Sequence, residues 1–243
     1  MSAFIRTMQL LGPEAMRRLD DARVSVFGLG GVGSWAAEAL ARAGVGHLRL
    51  VDFDAVKESN INRQLYALHS TLGRYKTELA CGRIRDINPR CDIDIRTEFV
   101  EGKTLPSLLE PRPDAIIDAI DSLSPKVRLI HAAASSGIAI VSSMGAAGRT
   151  DPSKIHIADI AQTQHCPLAR FVRKKLHRLG IFTGVRCVYS TETARHTAAH
   201  ASDDEGPELV KGRKRQPLGS ISYMPAIFGF MAAGETVRLL LNQ

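Results

Sequence analysis

The chain has little of what would let it be held together by anything other than an ordinary core. Its 243 residues include four cysteines, Cys81, Cys91, Cys166 and Cys187, widely spaced and without a Cys-x-x-Cys pair. That spacing supplies no thiolate set for a structural zinc, so no zinc site is expected. Each cysteine is expected to be a small core residue and not half of a disulfide. Aromatic residues make up only 5%, so binding to any nucleic acid is expected to rest on charge and shape more than on base stacking. The start, Met1-Ser2-Ala3-Phe4, has no basic segment leading into an apolar run, which leaves no secretory signal and makes the cytoplasm the expected compartment. The apolar stretch 221–233 contains Pro225 and gives way to Glu235 and Arg238. It reads as a buried C-terminal helix, too short and interrupted for a membrane span.

No linker or change of composition interrupts the chain before Ala194. The length allows one large α/β domain or two small ones, and one continuous domain, 1–243, is the expectation. Strand-like runs at 24–27, 48–51, 93–96, 115–120 and 138–142 alternate with helical patterns such as 75–87 and 125–135. That alternation predicts a Rossmann-like, mostly parallel sheet flanked by helices, with a C-terminal extension of mixed strands and the buried helix. Asn88-Pro89 is expected to stop one helix. Ser124-Pro125 is expected to start another, with a capping hydroxyl and proline at the first helical position.

The richest segment runs from Phe27 to Asp54. A short strand enters Gly28-Leu29-Gly30-Gly31-Val32-Gly33, a helix follows, and a second strand ends in Val51-Asp52-Phe53-Asp54. Glycines let backbone N–H groups approach phosphate oxygens, the helix dipole favours their charge, and Asp52 is placed to accept hydrogen bonds from ribose hydroxyls. The bland alternative is a tight strand-to-helix turn, and the glycines alone do not separate NAD from ATP. The polar and cationic series Asn60, Asn62, Arg63, Gln64 and Lys76 does separate them. Fixed cations beside a phosphate turn suit attack on a triphosphate, which hydride transfer does not require. The competing reading of Arg63 and Lys76 is a solvated surface pair.

Together with Ser59-Asn60-Ile61-Asn62-Arg63-Gln64 and Asp118-Ala119-Ile120-Asp121-Ser122, these segments resemble the adenylating superfamily related to ubiquitin-activating enzymes. The resemblance implies ATP and magnesium, and activation of a carboxylate as an acyl-adenylate. It implies nucleotide contacts from Gly28, Gly30, Gly31, Gly33, Asp52, Asp54, Asn60, Arg63, Gln64, Lys76, Asp121 and Ser122. Within that set Asp52 is the ribose ligand, Asn60, Arg63 and Lys76 are phosphate ligands, and Asp121 is the magnesium-associated acid. Arg6, in Phe4-Ile5-Arg6-Thr7, resembles an arginine that reaches the partner's site in these homodimers; with Arg63, Lys76 and Asp121 it completes the catalytic set implied.

Outside the ATP motifs the chain is similar to the tRNA threonylcarbamoyladenosine dehydratase family. The similarity runs through Thr150-Asp151-Pro152-Ser153-Lys154-Ile155, Pro167-Leu168-Ala169, Cys187-Val188-Tyr189-Ser190-Thr191-Glu192, Gly219-Ser220-Ile221 and Phe228-Gly229-Phe230. Cys166 departs from it, standing where the family pattern has an aspartate before the proline. The resemblance implies tRNA carrying threonylcarbamoyladenosine as substrate, ATP-dependent ring closure, and a sulfur-relay protein as a further candidate partner. The runner-up activity is adenylation of the C-terminal glycine of a ubiquitin-like sulfur carrier, against which the missing zinc ligands and the basic clusters argue. Two other readings are an NAD-dependent oxidoreductase and a non-catalytic nucleotide-binding regulator.

Charge points the same way. Lys and Arg total 32 against 25 Asp and Glu, a formal net charge of +7, which favours a polyanionic partner. Arg170, Arg173, Lys174, Lys175, His177 and Arg178 crowd one helical pattern. Lys211, Arg213, Lys214 and Arg215 crowd a segment, 194–217, whose lack of apolar periodicity predicts a mobile loop. Both clusters are candidate contacts to tRNA phosphates, and each alone is also consistent with a solvated face. Cys187, beside Ser190-Thr191-Glu192, is a candidate for sulfur or acyl transfer, although ring closure needs no thiol.

Overall fold

The structure, a computed structural model, describes residues 2–195 and 218–242. The chain opens with a helix, α1 (Ile5–Asp21), broken at Gly12-Pro13 where Gly12 takes a positive φ of 83°. Strand β1 (Arg23–Phe27) leads through the glycine turn into α2 (Gly33–Ala43), and β2 (His47–Val51) follows. The sequence next forms α3 (Lys76–Ile87), β3 (Asp92–Arg96), the short α4 (Leu105–Leu108) and β4 (Ala115–Asp118). Helix α5 (Leu123–Ser135), β5 (Ala139–Ser143), β6 (Ile155–Asp159), α6 (Pro167–His177), β7 (Arg186–Ser190) and α7 (Tyr223–Leu241) complete it.

Among the described residues the seven strands lie in one sheet, in the order β3-β2-β1-β4-β5-β7-β6. Every pair is parallel except β6 with β7, so the sheet is the expected mostly parallel one with mixed strands at its C-terminal end. Successive side chains on each strand face opposite sides. Val24, Val26, Leu48, Leu50 and Val188 join Leu40, Met224 and Phe228 in one core layer under α2 and α7. Phe27, Val51, Ile116 and Ile140 join Leu129, Ile130, Val172 and Leu176 in the other, under α5 and α6. Burial on both faces covers even the polar positions of these strands, Ser25 in β1 and Arg49 in β2.

Three expectations need correction. The strand predicted over 115–120 ends at Asp118, because the backbone leaves the sheet to turn over Gly28, with Ala119 N–H donating to Phe27 O at 2.8 Å. The next helix begins at Leu123, not at Pro125; Ser122 occupies the capping position, and its hydroxyl turns to Asp121 instead of capping. Pro125 still falls within the first turn, where its missing N–H costs no helical hydrogen bond. The C-terminal helix is not too short for a bilayer: its 19 residues and hydropathy suffice for one. Its burial against α2 and the sheet makes it a core helix, as expected, since Met224, Phe228, Ala232 and Ala233 are all covered. The segment expected to be a loop, 194–217, lies outside the described residues except for Ala194 and Arg195.

Candidate active site

Strand β1 and strand β4 deliver their C-terminal ends side by side, Phe27 paired with Asp118, at the point where strand order reverses around β1. In open parallel sheets this crevice is where ligands bind. Gly28 has a φ of 87°, and a side-chain carbon there would stand 2.8 Å from Ala119 O; one on Gly33 would stand 1.7 Å from Gly28 O. Only glycine lets the turn close this tightly and bring α2 in with its N-terminus facing the crevice.

Asp52 extends from the end of β2 and is buried. Its Oδ2 accepts from Leu29 N–H at 2.6 Å and its Oδ1 from Asp54 N–H at 2.8 Å. The residue read as a ribose ligand therefore also pins the glycine turn. Burial pushes its carboxyl up from the usual range, opposed by the charge of Lys76 and by the two backbone N–H groups. Lys76, the first residue of α3, is itself buried, with Nζ 2.8 Å from Asp54 Oδ2 and 3.9 Å from Asp52 Oδ2. That excludes the solvated-pair reading for Lys76. A buried ammonium between two carboxylates is placed and oriented, not free to sample water.

Asn60 is buried, its Oδ1 accepting from Lys57 N–H at 3.2 Å. Arg63 is half-buried and donates through Nη1 to Ser59 O at 2.6 Å and Asn62 Oδ1 at 2.8 Å. Its Cγ lies 3.4 Å from where a side chain on Gly31 would begin, and Gln64 Nε2 lies 3.7 Å from the same point on Gly30. Arg63 and Gln64 thus stand against the glycine turn that Asp52 pins through Leu29. Beside Arg63 opens a groove of about 600 Å3, lined also by Glu58, Asn62, His69 and Ser220. Asn62 Nδ2 donates across it to Ser220 O at 3.0 Å.

On the β4 side, Asp121 is exposed at the lip of the crevice, with Ser122 Oγ 3.3 Å from its Oδ1. Beneath this loop lies an ion pair that sequence reasoning missed. Lys126 and Asp118 are both fully buried. Lys126 Nζ donates to Asp118 Oδ2 at 2.6 Å and to Ser143 O at 2.9 Å, and Ser142 Oγ donates to the same carboxylate oxygen at 2.6 Å. The other oxygen, Asp118 Oδ1, accepts from Ile120 N–H at 3.1 Å, one residue before Asp121. The signal available in the sequence was a lysine between Pro125 and Val127 on a helix otherwise facing the sheet with apolar residues.

The remaining candidates are spread more widely. Arg6 is exposed on the first turn of α1. Arg170, Lys174 and Arg178 are exposed, and Lys175 is half-buried. Arg173 turns inward, its Nη1 donating to Ile160 O and Thr163 O at 3.0 Å each and to Thr163 Oγ1 at 2.7 Å, so that end of its guanidinium is engaged by the protein. Lys211, Arg213, Lys214 and Arg215 lie outside the described residues. Cys187 is fully buried, donates weakly to Val185 O at 3.5 Å, and is pushed well up by burial. It stays a thiol, not a nucleophile. Glu192 accepts from the backbone N–H groups of Asp151 and Thr150, at 2.8 and 2.9 Å, which hold it below the usual carboxylate range. Its work is to fix the backbone that follows β5.

Comparison with known proteins places this geometry. The model of the ThiF family matches residues 4–243. The chain belongs to the ThiF family. Among relatives, the tRNA threonylcarbamoyladenosine dehydratase of Bacillus subtilis is 40% identical over 240 residues, covering 98% of this chain and 94% of that one. Among solved structures, the Escherichia coli tRNA N6-threonylcarbamoyladenosine dehydratase in complex with AMP superposes with a TM-score of 0.89 at 35% identity, covering 99% and 94% of the two chains. The same enzyme in complex with ATP gives 0.87 at 34% identity, with the same coverage. The likeness of this ThiF-family chain to them therefore extends through β6, α6, β7 and α7 as well as the glycine turn.

Proposed function

We propose that the chain is a tRNA threonylcarbamoyladenosine dehydratase, using ATP to close the threonylcarbamoyl side chain of a modified adenosine beside the anticodon. The observation that carries this reading is the burial of Lys76 between Asp52 and Asp54 at a glycine turn overhung by Arg63. It is supported by relatives of that name matching over almost the full chain. A dinucleotide oxidoreductase has no use for this cationic wall.

ATP is a substrate here. The threonine carboxylate attacks its α-phosphorus, pyrophosphate leaves, and the ureido part of the same side chain then attacks the activated carboxyl carbon, expelling AMP with the carboxylate oxygen. Ring closure is intramolecular, so effective molarity replaces a protein nucleophile. The protein's task is to overcome repulsion between anions. The glycine turn and the start of α2 receive the phosphates, Asp52 the ribose, and Asn60, Arg63, Gln64 and Lys76 the charge that develops. Asp121, with the Ser122 hydroxyl beside it, would hold magnesium, which takes one or two carboxylates together with substrate phosphates. Once bound, magnesium neutralises phosphate charge.

The reading extends to one adenylating unit over 1–243, working in the cytoplasm as a homodimer in which Arg6 completes the partner's site. The exposed cations of α6 and the cluster at 211–215 take the tRNA backbone, and a sulfur-relay protein remains a candidate stimulating partner. Mass spectrometry of tRNA nucleosides after incubation with the protein, ATP and magnesium tests the reaction, the expected product being lighter by one water. Heavy oxygen in the threonine carboxylate is expected in AMP. Label in inorganic phosphate would replace adenylation by γ-phosphoryl transfer, and an unchanged nucleoside would sink the reading.

A further inference from the structure

The few aromatic residues of this chain are not all in its core. Phe171 is 48% exposed and Phe182 59%. Helix α6 buries Ala169, Val172 and Leu176 and turns the opposite stripe outward, placing Phe171 among Arg170, Lys174, His177 and Arg178. The Arg170 guanidinium lies over the Phe171 ring, 5.2 Å from its centre, and the His177 ring lies 5.1 Å from that of Phe182. No aspartate or glutamate occurs between Ile160 and Val185. A merely solvated helix face intersperses both signs of charge and covers its large rings; this face does neither.

Its position is as informative as its composition. Cys166, immediately before α6, has its Sγ 3.9 Å from where a side chain on Gly145 would begin. Gly145 follows β5 on the same edge of the sheet as Asp121. Helix α6 packs beside α5, which starts just after Asp121. The face therefore begins next to the active-site edge and runs away from it for 11 residues, about 16 Å.

We propose that this face is a platform for single-stranded RNA, with Phe171 and Phe182 stacking on unpaired bases and Arg170, Lys174 and Arg178 meeting the phosphates between them. Proteins read single-stranded RNA through unstacked bases laid on aromatic rings and guanidinium planes. The occupant is the loop of the tRNA whose modified nucleotide sits at Asp121, so the inference rests on the proposed reaction. It revises the expectation that recognition rests on charge and shape more than on stacking: the rings are few, but two stand exposed on this basic face.

Binding of an anticodon stem–loop and of a blunt RNA duplex of equal length, each across a salt series, separates the terms. The double variant Phe171→Ala/Phe182→Ala is expected to bind the stem–loop roughly five- to 150-fold more weakly per ring lost. Its salt slope and ATP affinity should be unchanged, and its loss on the duplex small. Lys174→Ala/Arg178→Ala should flatten the salt slope on both RNAs. Phe171→Tyr/Phe182→Tyr should retain binding, which separates lost stacking from a misfolded helix. Equal losses on loop and duplex, or none, would overturn the platform while dehydration by the wild-type protein left the reaction standing. No dehydration of modified tRNA by the wild type would instead overturn the reaction, and the assigned RNA with it.

Discussion

Asp121 and Lys126 share one stretch of chain and differ in every physical respect. Asp121 is exposed at the lip of the crevice, whereas Lys126 is sealed beneath it in contact with Asp118. Replacing Asp121 by Asn removes charge from a solvated position, so melting temperature and circular dichroism should be unchanged while magnesium-dependent turnover is lost. Near-normal turnover would remove Asp121 from the mechanism. Replacing Lys126 by Met leaves a buried carboxylate unpaired, a change that costs about 3–5 kcal/mol. Urea denaturation should show that loss, and turnover should fall with it because Asp118 holds the backbone of Ile120. A stability loss below about 1 kcal/mol would mean that the buried pair does not hold the fold. Asp121 could be singled out in the sequence because it falls in a motif, Asp118-Ala119-Ile120-Asp121-Ser122. Lys126 could not, because nothing in a linear pattern says that a lysine's partner lies across a strand end and wholly out of water.

At the level of elements, β1 to β5 could be read to within about two residues, as short runs rich in Val, Ile and Leu, whereas β6 and β7 were foreseen only as mixed strands without a place in the sequence. Helix α1 was missed although Leu11, Ala15, Met16 and Leu19 line one face of it against the core: Gly12-Pro13 divides it, and a glycine–proline pair reads as a stop and not as a helix interior. The ties between helices were equally hidden. Glu38 of α2 is buried, and Arg83 of α3 donates to its two oxygens at 2.6 and 3.0 Å, with Arg42 adding a third bond at 2.8 Å. Burial opposes ionisation of Glu38, but these arginines outweigh it and its pKa lies below the ordinary value. A depressed folded pKa contributes stability that is present above the unfolded pKa, about 4.3, and lost as pH falls through the folded one. The melting temperature of the wild type should therefore fall on the acid side of about pH 4, and Glu38→Gln should be less stable at neutral pH with a shallower acid limb. Parallel acid limbs would show that Glu38 titrates as it does in the unfolded chain. Gly229 tests the contact between α2 and α7. A methyl there would stand 2.4 Å from Val32 O, at the entry to α2, so Gly229→Ala should lower stability by about 1–3 kcal/mol and weaken ATP binding through the displaced helix start.

For the whole molecule, what counts is whether a site contains everything it needs. The glycine turn, Asp52, Lys76 and Arg63 converge within one chain, but Arg6 stands exposed on α1, in sequence well before the strand that opens the nucleotide site. If Arg6 acts across a two-fold interface, each active site draws its crevice from one protomer and this cation from the other, as the symmetry of an isologous dimer requires twice over. Arg6→Ala and Asp121→Asn should then each be inactive alone, the first for want of a cation on the phosphates and the second for want of magnesium placement. Mixed and allowed to exchange, they form heterodimers in which the Arg6→Ala protomer keeps its own Asp121 and receives Arg6 from its partner. One of the two sites is whole. Random pairing makes about half the dimers mixed, so activity should return to roughly a quarter of the wild-type value, with exchange followed by native mass spectrometry. Mixed dimers that form but stay as inactive as their parents would place Arg6 in its own protomer's site or outside catalysis altogether, and a monomer at assay concentration would remove the shared site.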